Sequence, residues 1–349
     1  MDPERLRALR ERYAGNSGGA MLDPHYRRVA ESVFSGDRRA LPYSSPATLL
    51  SAPFLPGADP ATAGLDVALI GVPMDLGVTN RPGTRFGPRA VRGAERIGPY
   101  EHVLRLAPAD GCKVADVGDV PLSSRYDLAA CHADIEAAIR GWVEAGTVPL
   151  SVGGDHSISH AILRAVGRDR PVGLIHIDAH CDTSGPFEGS RFHHGGPFRM
   201  AVLDGVLDPE RTVQIGIRGP GEYLWEFSAD SGMTVIHAEE FAARGVAEVI
   251  AQARAVVGDG PTYLSFDIDA LDPAFAPGTG TPEVGGLTTR EALALLRGLA
   301  GLDFVGADLV EVAPQYDGTT NTVQAAGQVL FTEFCLLRLA LDRRRERAG

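Results

Sequence analysis

Acidic and histidine side chains are concentrated at three points of the sequence, each directly after a short apolar segment. The three segments are Gly153-Gly154-Asp155-His156-Ser157, Asp178-Ala179-His180-Cys181-Asp182 and Asp267-Ile268-Asp269-Ala270-Leu271-Asp272. Residues two apart on an extended chain project to one side, about 6.6 Å apart, so the second and third segments each present several ligand-type side chains on one face. In the first segment the glycines allow a sharp exit that can turn His156 inward.

Carboxylates that share one cleft repel one another strongly unless protons or metal ions offset their charge. Two divalent cations would balance the four negative charges of Asp178, Asp182, Asp267 and Asp269, with histidines as neutral nitrogen ligands. An oxygen-rich set with only two imidazoles favours manganese over a structural zinc ion, and leaves nickel or iron open.

Each segment alone has an ordinary structural interpretation, as a solvated loop, a turn or a cap. The arrangement of the whole chain favours a shared site instead. Eight short apolar segments alternate with amphipathic stretches, which predicts a mostly parallel, doubly wound α/β sheet with helices on both faces. Ligands in such sheets lie beyond the carboxyl ends of the strands, where all three acidic segments begin. The predicted strands are 67–72, 113–117, 148–152, 172–177, 212–217, 233–236, 262–266 and 304–310, and the predicted helices include 127–145, 159–166, 243–257, 288–299 and 327–347.

The first 60 residues are predicted to be an N-terminal extension that wraps the domain or contacts another subunit. Leu6, Leu9 and Tyr13 have the spacing of one short helix, whereas several prolines between residues 42 and 60 interrupt regular structure. Residues 61–349 are predicted to form one catalytic domain.

Composition excludes several classes of function. A net charge of −12 argues against a nucleic-acid partner. Neither a signal peptide nor an apolar run of about 18 residues is found, so no membrane association is expected. The four cysteines lack CxxC spacing, which predicts reduced thiols in a cytoplasmic protein. Gly153-Gly154 is not a G-x-G-x-x-G turn and no P-loop occurs, so nucleotide binding is not favoured.

The three acidic segments resemble the signature segments of the ureohydrolase family, which includes arginase, agmatinase and the guanidino-acid hydrolases. The resemblance extends over about residues 65–340, and the run from Asn80 to Arg89 is similar to the agmatinase branch. It implies a three-layer α/β/α fold with an eight-stranded parallel sheet. It also implies two Mn²⁺ ions per chain, sometimes Ni²⁺, and a homo-oligomer that is a trimer or a hexamer.

The resemblance also implies a role for individual residues. One metal ion would be bound by His156, Asp178, Asp182 and Asp267, and the other by His180, Asp178, Asp267 and Asp269. The two ions would activate a water for attack on a guanidinium carbon, and Asp182 would orient that water. His194 matches the histidine that transfers protons.

Glu311 matches the family position that faces the substrate. A cationic substrate about 5 Å from one metal charge is repelled by about 3 kcal/mol at an effective dielectric of roughly 20, and a carboxylate opposite the guanidinium offsets this.

The substrate is predicted from the loop that follows Asp182, which differs from the arginase pattern. Arg191 in this loop can pair with a carboxylate, which favours a guanidino acid such as 3-guanidinopropionate or 4-guanidinobutyrate. Glu188 could instead bind the free amine of agmatine, the first alternative. Guanidine or a substituted guanidine is the second.

Two other classes of protein would have different metal ligands. A deacetylase on a related fold would hold one zinc ion and would lack the pair Asp267 and Asp269 in this role, so metal stoichiometry separates the two. A non-catalytic subunit should have broken ligand positions, whereas every ligand position here is filled.

Overall fold

The computed structural model describes residues 1–15, 21–33, 46–95 and 97–349. The strands are β1 (Val67–Val72), β2 (Val114–Asp119), β3 (Val148–Gly153), β4 (Val172–Ile177), β5 (Leu207–Ile217), β6 (Thr234–His237), β7 (Thr262–Asp267) and β8 (Phe304–Val310). The helices are α1 (Pro3–Tyr13), α2 (Pro24–Val33), α3 (Pro60–Ala63), α4 (Gly87–Arg92), α5 (Leu128–Glu144), α6 (Ile158–Val166), α7 (Pro197–Leu203), α8 (Glu226–Ser231), α9 (Ala238–Arg244), α10 (Val246–Val257), α11 (Thr289–Gly298) and α12 (Asn321–Ala348).

The strands form one eight-stranded sheet in the order β2-β1-β3-β8-β7-β4-β5-β6, and every neighbouring pair is parallel. The predicted fold class is therefore confirmed. In this order β3, β8, β7 and β4 lie side by side at the centre, so the chain segments that leave their carboxyl ends converge.

Two hydrophobic cores lie on opposite faces of the sheet because side chains alternate along each strand. Val67 and Leu69 of β1 belong to one core, together with side chains of α10, α11 and α12. Ala68 and Ile70 belong to the other, together with side chains of α5, α6 and α7. Burial on both faces explains why these strands are apolar with so little alternation in the sequence.

All eight predicted strands are present, and most differences concern where elements begin and end. The predicted helix 243–257 is wrong as one unit, because Gly245 has φ 81° and separates α9 from α10. This left-handed conformation ends one helix and favours glycine. The last helix begins at Asn321, six residues before its predicted start, and β5 begins at Leu207 instead of residue 212.

The N-terminal part of the chain is described only in pieces. Helix α1 is present and none of its residues is buried. Leu49, by contrast, is fully buried in the domain core, and its backbone N–H donates to Asp116 Oδ2. Residues 16–20 and 34–45, which include Pro42, lie outside the described residues, and the division of the chain at residue 60 stays a prediction.

All four cysteines are free and buried. Burial raises the pKa of Cys112 to about 11 and that of Cys181 to about 12. In the part of the chain that the structure describes, none of the helices combines the length and the apolar character needed to cross a membrane.

Leu264→Ala is expected to lower the free energy of unfolding by about 2–5 kcal/mol, because it opens a cavity in the middle of the sheet. Leu264 lies in β7 between Ile175 of β4 and Ala307 of β8, and it is 1% exposed. Leu203→Ala is the matched control, since Leu203 is 65% exposed, and should change stability by less than about 0.5 kcal/mol. Chemical denaturation measures both, and equal effects would contradict the described packing.

Candidate metal centre

The six predicted metal ligands come from three central strand ends and lie together. Nδ1 of His156, which follows β3, is 3.1 Å from Asp178 Oδ2, 2.9 Å from Asp182 Oδ2 and 3.2 Å from Asp267 Oδ2. Nδ1 of His180 is 3.4 Å from Asp178 Oδ1 and 3.2 Å from Asp269 Oδ2. The two carboxylate oxygens of Asp178 therefore face different histidines, as a carboxylate that bridges two cations would.

Five of the six side chains are buried, whereas His180 is 33% exposed, and the charges of the cluster shift one another strongly. Burial raises the pKa of Asp267 well above its usual range, and the charges of Asp269 and Asp178 add to this effect. Burial would lower the pKa of His156 and His180, yet the surrounding carboxylates outweigh it and raise both well above the ordinary value. Protons on the two histidines and on Asp267 thus offset part of the carboxylate charge, and divalent cations would displace them.

The donor set fits metal ions. Nδ1 of His156 is buried and makes no hydrogen bond to any of the described residues, although three carboxylates surround it. A ring nitrogen and carboxylate oxygens that converge in this way are ligands suited to manganese, nickel or iron. His156, Asp178, Asp182 and Asp267 would hold one ion, and His180, Asp178, Asp267 and Asp269 the other.

Two acidic residues of the site have a strained backbone. Asp182 has φ 53° and Glu311 has φ 63°, in the left-handed region that residues other than glycine rarely adopt. Such a conformation costs about 1–3 kcal/mol and persists only where the surrounding structure enforces it. Six described residues other than glycine have positive φ, and three of them, Asp182, Glu188 and Glu311, have predicted roles.

Glu311 and His194 form a buried pair beside the cluster. Glu311 Oε1 accepts from the backbone N–H of His156 at 2.9 Å and lies 3.0 Å from His194 Nδ1. Its other oxygen, Oε2, is buried and has no hydrogen-bond partner among the described residues. Burial would lower the pKa of His194, but the Glu311 charge outweighs it and raises the pKa to about 9.

A loop before α4, residues 76–83, holds His194 from the other side. Thr79 Oγ1 is 2.6 Å from His194 Nε2, and the backbone N–H of His194 donates to Gly77 O. Asp155, whose pKa is raised to about 6 by burial and by Glu311, accepts from the backbone N–H of Gly77 at 2.8 Å. The sequence motif that contains Asp155 did not indicate a role for it. Thr79 was missed because only the folded chain brings residue 79 to residue 194.

His176 is a second residue that the sequence analysis missed. It lies 2.7 Å from Asp178 Oδ2 through Nε2, close enough to be considered a ligand. However, Gln214 Nε2 donates to its Nδ1 at 3.0 Å, so Nε2 carries the proton and donates to Asp178. His176 therefore orients a predicted bridging carboxylate. The alternation of His and Asp from 176 to 182 was the signal that could have found it.

The loop that follows Asp182 is fastened at its base and exposed at its tip. Nε2 of His193 donates to Gly185 O at 2.8 Å, whereas Phe187 is 52% exposed. Arg191 lies with Nη2 3.5 Å from Asp204 Oδ1 and its guanidinium 5.5 Å from the Phe192 ring. Its predicted contact with a substrate carboxylate would require this side chain to turn away from Asp204.

The chain is similar in sequence and in structure to several known proteins. Residues 65–335 match the sequence model of the Arginase family. The chain is 51% identical over 281 residues to a guanidinopropionase from Pseudomonas aeruginosa, covering 79% of this chain and 87% of that protein. It is 48% identical over 282 residues to a mitochondrial agmatinase from Gallus gallus, covering 78% and 82%. Proclavaminate amidino hydrolase from Streptomyces clavuligerus has a similar structure, with a TM-score of 0.81, 38% identity, and coverage of 86% and 100%.

Asp267→Asn is expected to raise the unfolding temperature of the metal-free protein at neutral pH and to abolish most of the increase that manganese produces. Because the pKa of Asp267 is raised, its contribution to stability is present below the usual aspartate pKa and is lost as the pH rises through the higher one. At neutral pH the raised pKa therefore makes Asp267 destabilising, and the variant removes this effect together with a predicted ligand. Thermal unfolding with EDTA and with Mn²⁺ measures both effects.

Asp272→Asn is the matched control from the same segment. Backbone N–H groups of Ala274, Gly285 and Gly286 lower the pKa of Asp272, so this variant should lower stability equally with and without the metal. If both variants responded identically to manganese, Asp267 would not be a ligand.

Proposed function

Since the chain belongs to the arginase family, we propose that it hydrolyses the guanidinium group of a small linear guanidino acid, giving urea and an amine. The family consists of hydrolases that act on C–N bonds of linear amidines and depend on two metal ions. One observation carries the proposal: a buried carboxylate oxygen, Glu311 Oε2, has no partner in the described part of the chain and lies beside a cluster of six ligand-type side chains. A planar cation is the group that such an oxygen would accept hydrogen bonds from.

The proposed roles follow from contacts of this chain. When bound, two divalent cations would offset the carboxylates and supply a nucleophilic water at neutral pH. Asp182 would accept a hydrogen bond from that water and so direct the water at the guanidinium carbon. Glu311 would hold the guanidinium in place through Oε2, while its Oε1 stays fixed by His156 N and His194 Nδ1.

His194 would provide the proton that the departing amine requires. Burial would lower its pKa, but the Glu311 charge outweighs it and raises the pKa to about 9. Its Nδ1 lies 3.0 Å from Glu311 Oε1, and its Nε2 accepts from the backbone N–H of Thr79 at 3.1 Å, so Nδ1 is the nitrogen that holds the proton. An imidazole fixed in this way, with its proton on Nδ1, is suited to general acid catalysis.

The identity of the metal, the oligomeric state and the location in the cell are proposed as well. We infer manganese, with nickel as the alternative, because the ligand set is mainly carboxylate. The family resemblance supports a trimer or a hexamer. Four buried free thiols support the cytoplasm as its location.

Glu311→Gln is expected to lower kcat/KM roughly 100-fold or more, because the side chain keeps its size but loses the charge opposite the guanidinium. It should also move the alkaline limb of the pH profile to lower pH. Activity that needs protonated His194 is lost as the pH rises through its pKa, and without the Glu311 charge that pKa falls. Urea release against pH measures both effects. Glu226→Gln, on the exposed surface of α8, is the control, and an unmoved limb in Glu311→Gln would exclude His194 as the acid.

A panel of guanidino substrates identifies the group at the far end. We expect 3-guanidinopropionate or 4-guanidinobutyrate to give the highest kcat/KM, above agmatine, arginine and guanidine. If Arg191 binds the carboxylate, Arg191→Ala should raise KM for the acids about tenfold and leave agmatine unaffected. Arg164→Ala is the matched control, since Arg164 also approaches Asp204, at 3.5 Å. Unchanged activity of Arg191→Ala on the acids would exclude Arg191 as the reader, and a preference for agmatine would overturn the proposed substrate.

A further inference from the structure

A row of buried polar side chains crosses the central strands just beneath the metal centre. The register pairs Ser265 of β7 with His176 of β4 on one side and with Asp308 of β8 on the other. All three residues are fully buried. Ser265 lies two residues before Asp267, and His176 two residues before Asp178, so the row is on the same face of the sheet as these carboxylates.

His156 is connected to this row through the ring nitrogen that faces away from the carboxylate cluster. Its Nε2 is 2.8 Å from Ser265 Oγ, and Ser265 Oγ donates to Asp308 Oδ1 at 2.6 Å. Because the only proton of the serine hydroxyl goes to Asp308, Oγ can only accept from Nε2. The proton of a neutral His156 is therefore kept on Nε2, which leaves the Nδ1 lone pair directed at Asp178, Asp182 and Asp267.

Asp308 is buried and accepts hydrogen bonds from three hydroxyl groups. Besides Ser265, it accepts from Tyr263 OH at 2.9 Å and from Ser159 Oγ at 2.6 Å, both at Oδ2. Burial and the nearby Asp308 charge raise the pKa of Tyr263, so the phenol stays a neutral donor. Burial, with the same charge, also raises the pKa of the fully buried Glu333 of α12.

We propose that Ser265 and Asp308 are positioning residues that select the tautomer of His156 and thereby set the affinity for one of the two metal ions. The inference rests on the proposed metal centre, and it adds the direction of the hydrogen bonds that His156 makes on the side away from the metal ions. Hydrogen bonds run one way, from His156 through Ser265 to Asp308. Any change that reverses this direction should place the proton on the ligand atom itself.

Asp308→Asn is the variant that reverses the direction. Tyr263 and Ser159 both donate at Oδ2, so the amide oxygen takes that position and the NH₂ group faces Ser265. Ser265 then accepts from the amide and donates to Nε2, which forces the proton of a neutral His156 onto Nδ1. Ser265→Ala only cuts the connection and leaves either tautomer accessible.

Manganese binding to the full-length metal-free protein, followed by calorimetry, tests this inference. Relative to the wild type, Ser265→Ala should weaken one of two sites by about 10–100-fold, as expected when a partner of a metal-bound histidine is removed. Asp308→Asn should weaken the same site further. The double variant should match Ser265→Ala alone, because without the hydroxyl the reversed amide has no route to His156.

Tyr263→Phe and Ser159→Ala are matched controls that each remove one hydroxyl from Asp308 but leave the connection to His156 intact. Both should bind manganese within about threefold of the wild type. Unfolding of each metal-free variant by denaturant checks that it folds, and the order of the affinities is compared among folded variants.

The inference is overturned if Ser265→Ala and Asp308→Asn bind both ions with wild-type affinity, or if the controls weaken binding as much as they do. It is also overturned if the effects of the two variants simply add in the double variant. A wild type that binds fewer than two manganese ions per chain contradicts the proposed metal centre itself, and this outcome is distinct because it appears without any substitution.

Discussion

Mutual repulsion among buried carboxylates is the constraint on which the rest of this structure depends. Asp178, Asp182, Asp267 and Asp269 converge with little access to water, and burial there favours the neutral form of an acid. Positive charge has to enter the cluster, as protons on His156 and His180 or as divalent cations. The sheet order meets the geometric part of this requirement, since it places β3, β8, β7 and β4 side by side.

The surroundings of the cluster show how a fold can hold an unfavourable arrangement in place. Asp182 and Glu311 keep left-handed backbone conformations, and both residues are buried. Below them, on four neighbouring strands, Gln214 donates to His176 and Ser265 donates to Asp308. Because these buried side chains are hydrogen-bonded, they limit the freedom of the ligands above them.

The sequence predicted what local patterns encode. The apolar segments located all eight strands, and the acidic segments that follow three of them predicted six side chains that the structure brings together. The polar row beneath them was not predictable, because pairing Ser265 with Asp308 requires the order and register of strands far apart in the chain. The break at Gly245 was missed because a single glycine within a helical pattern does not reveal the sign of its φ angle. The left-handed Asp182 and Glu311 were missed because residues other than glycine rarely adopt that conformation, and the sequence does not show where they do.

The burial of all four thiols has a practical consequence for studying motion near the site. With no native cysteine on the surface, maleimide reagents have no accessible thiolate to modify in the folded protein. A single cysteine introduced at the exposed position of Phe187 would carry a fluorophore at the tip of the loop between Asp182 and His194. Its emission would report any change in the surroundings of that loop tip, without first removing any residue from the core.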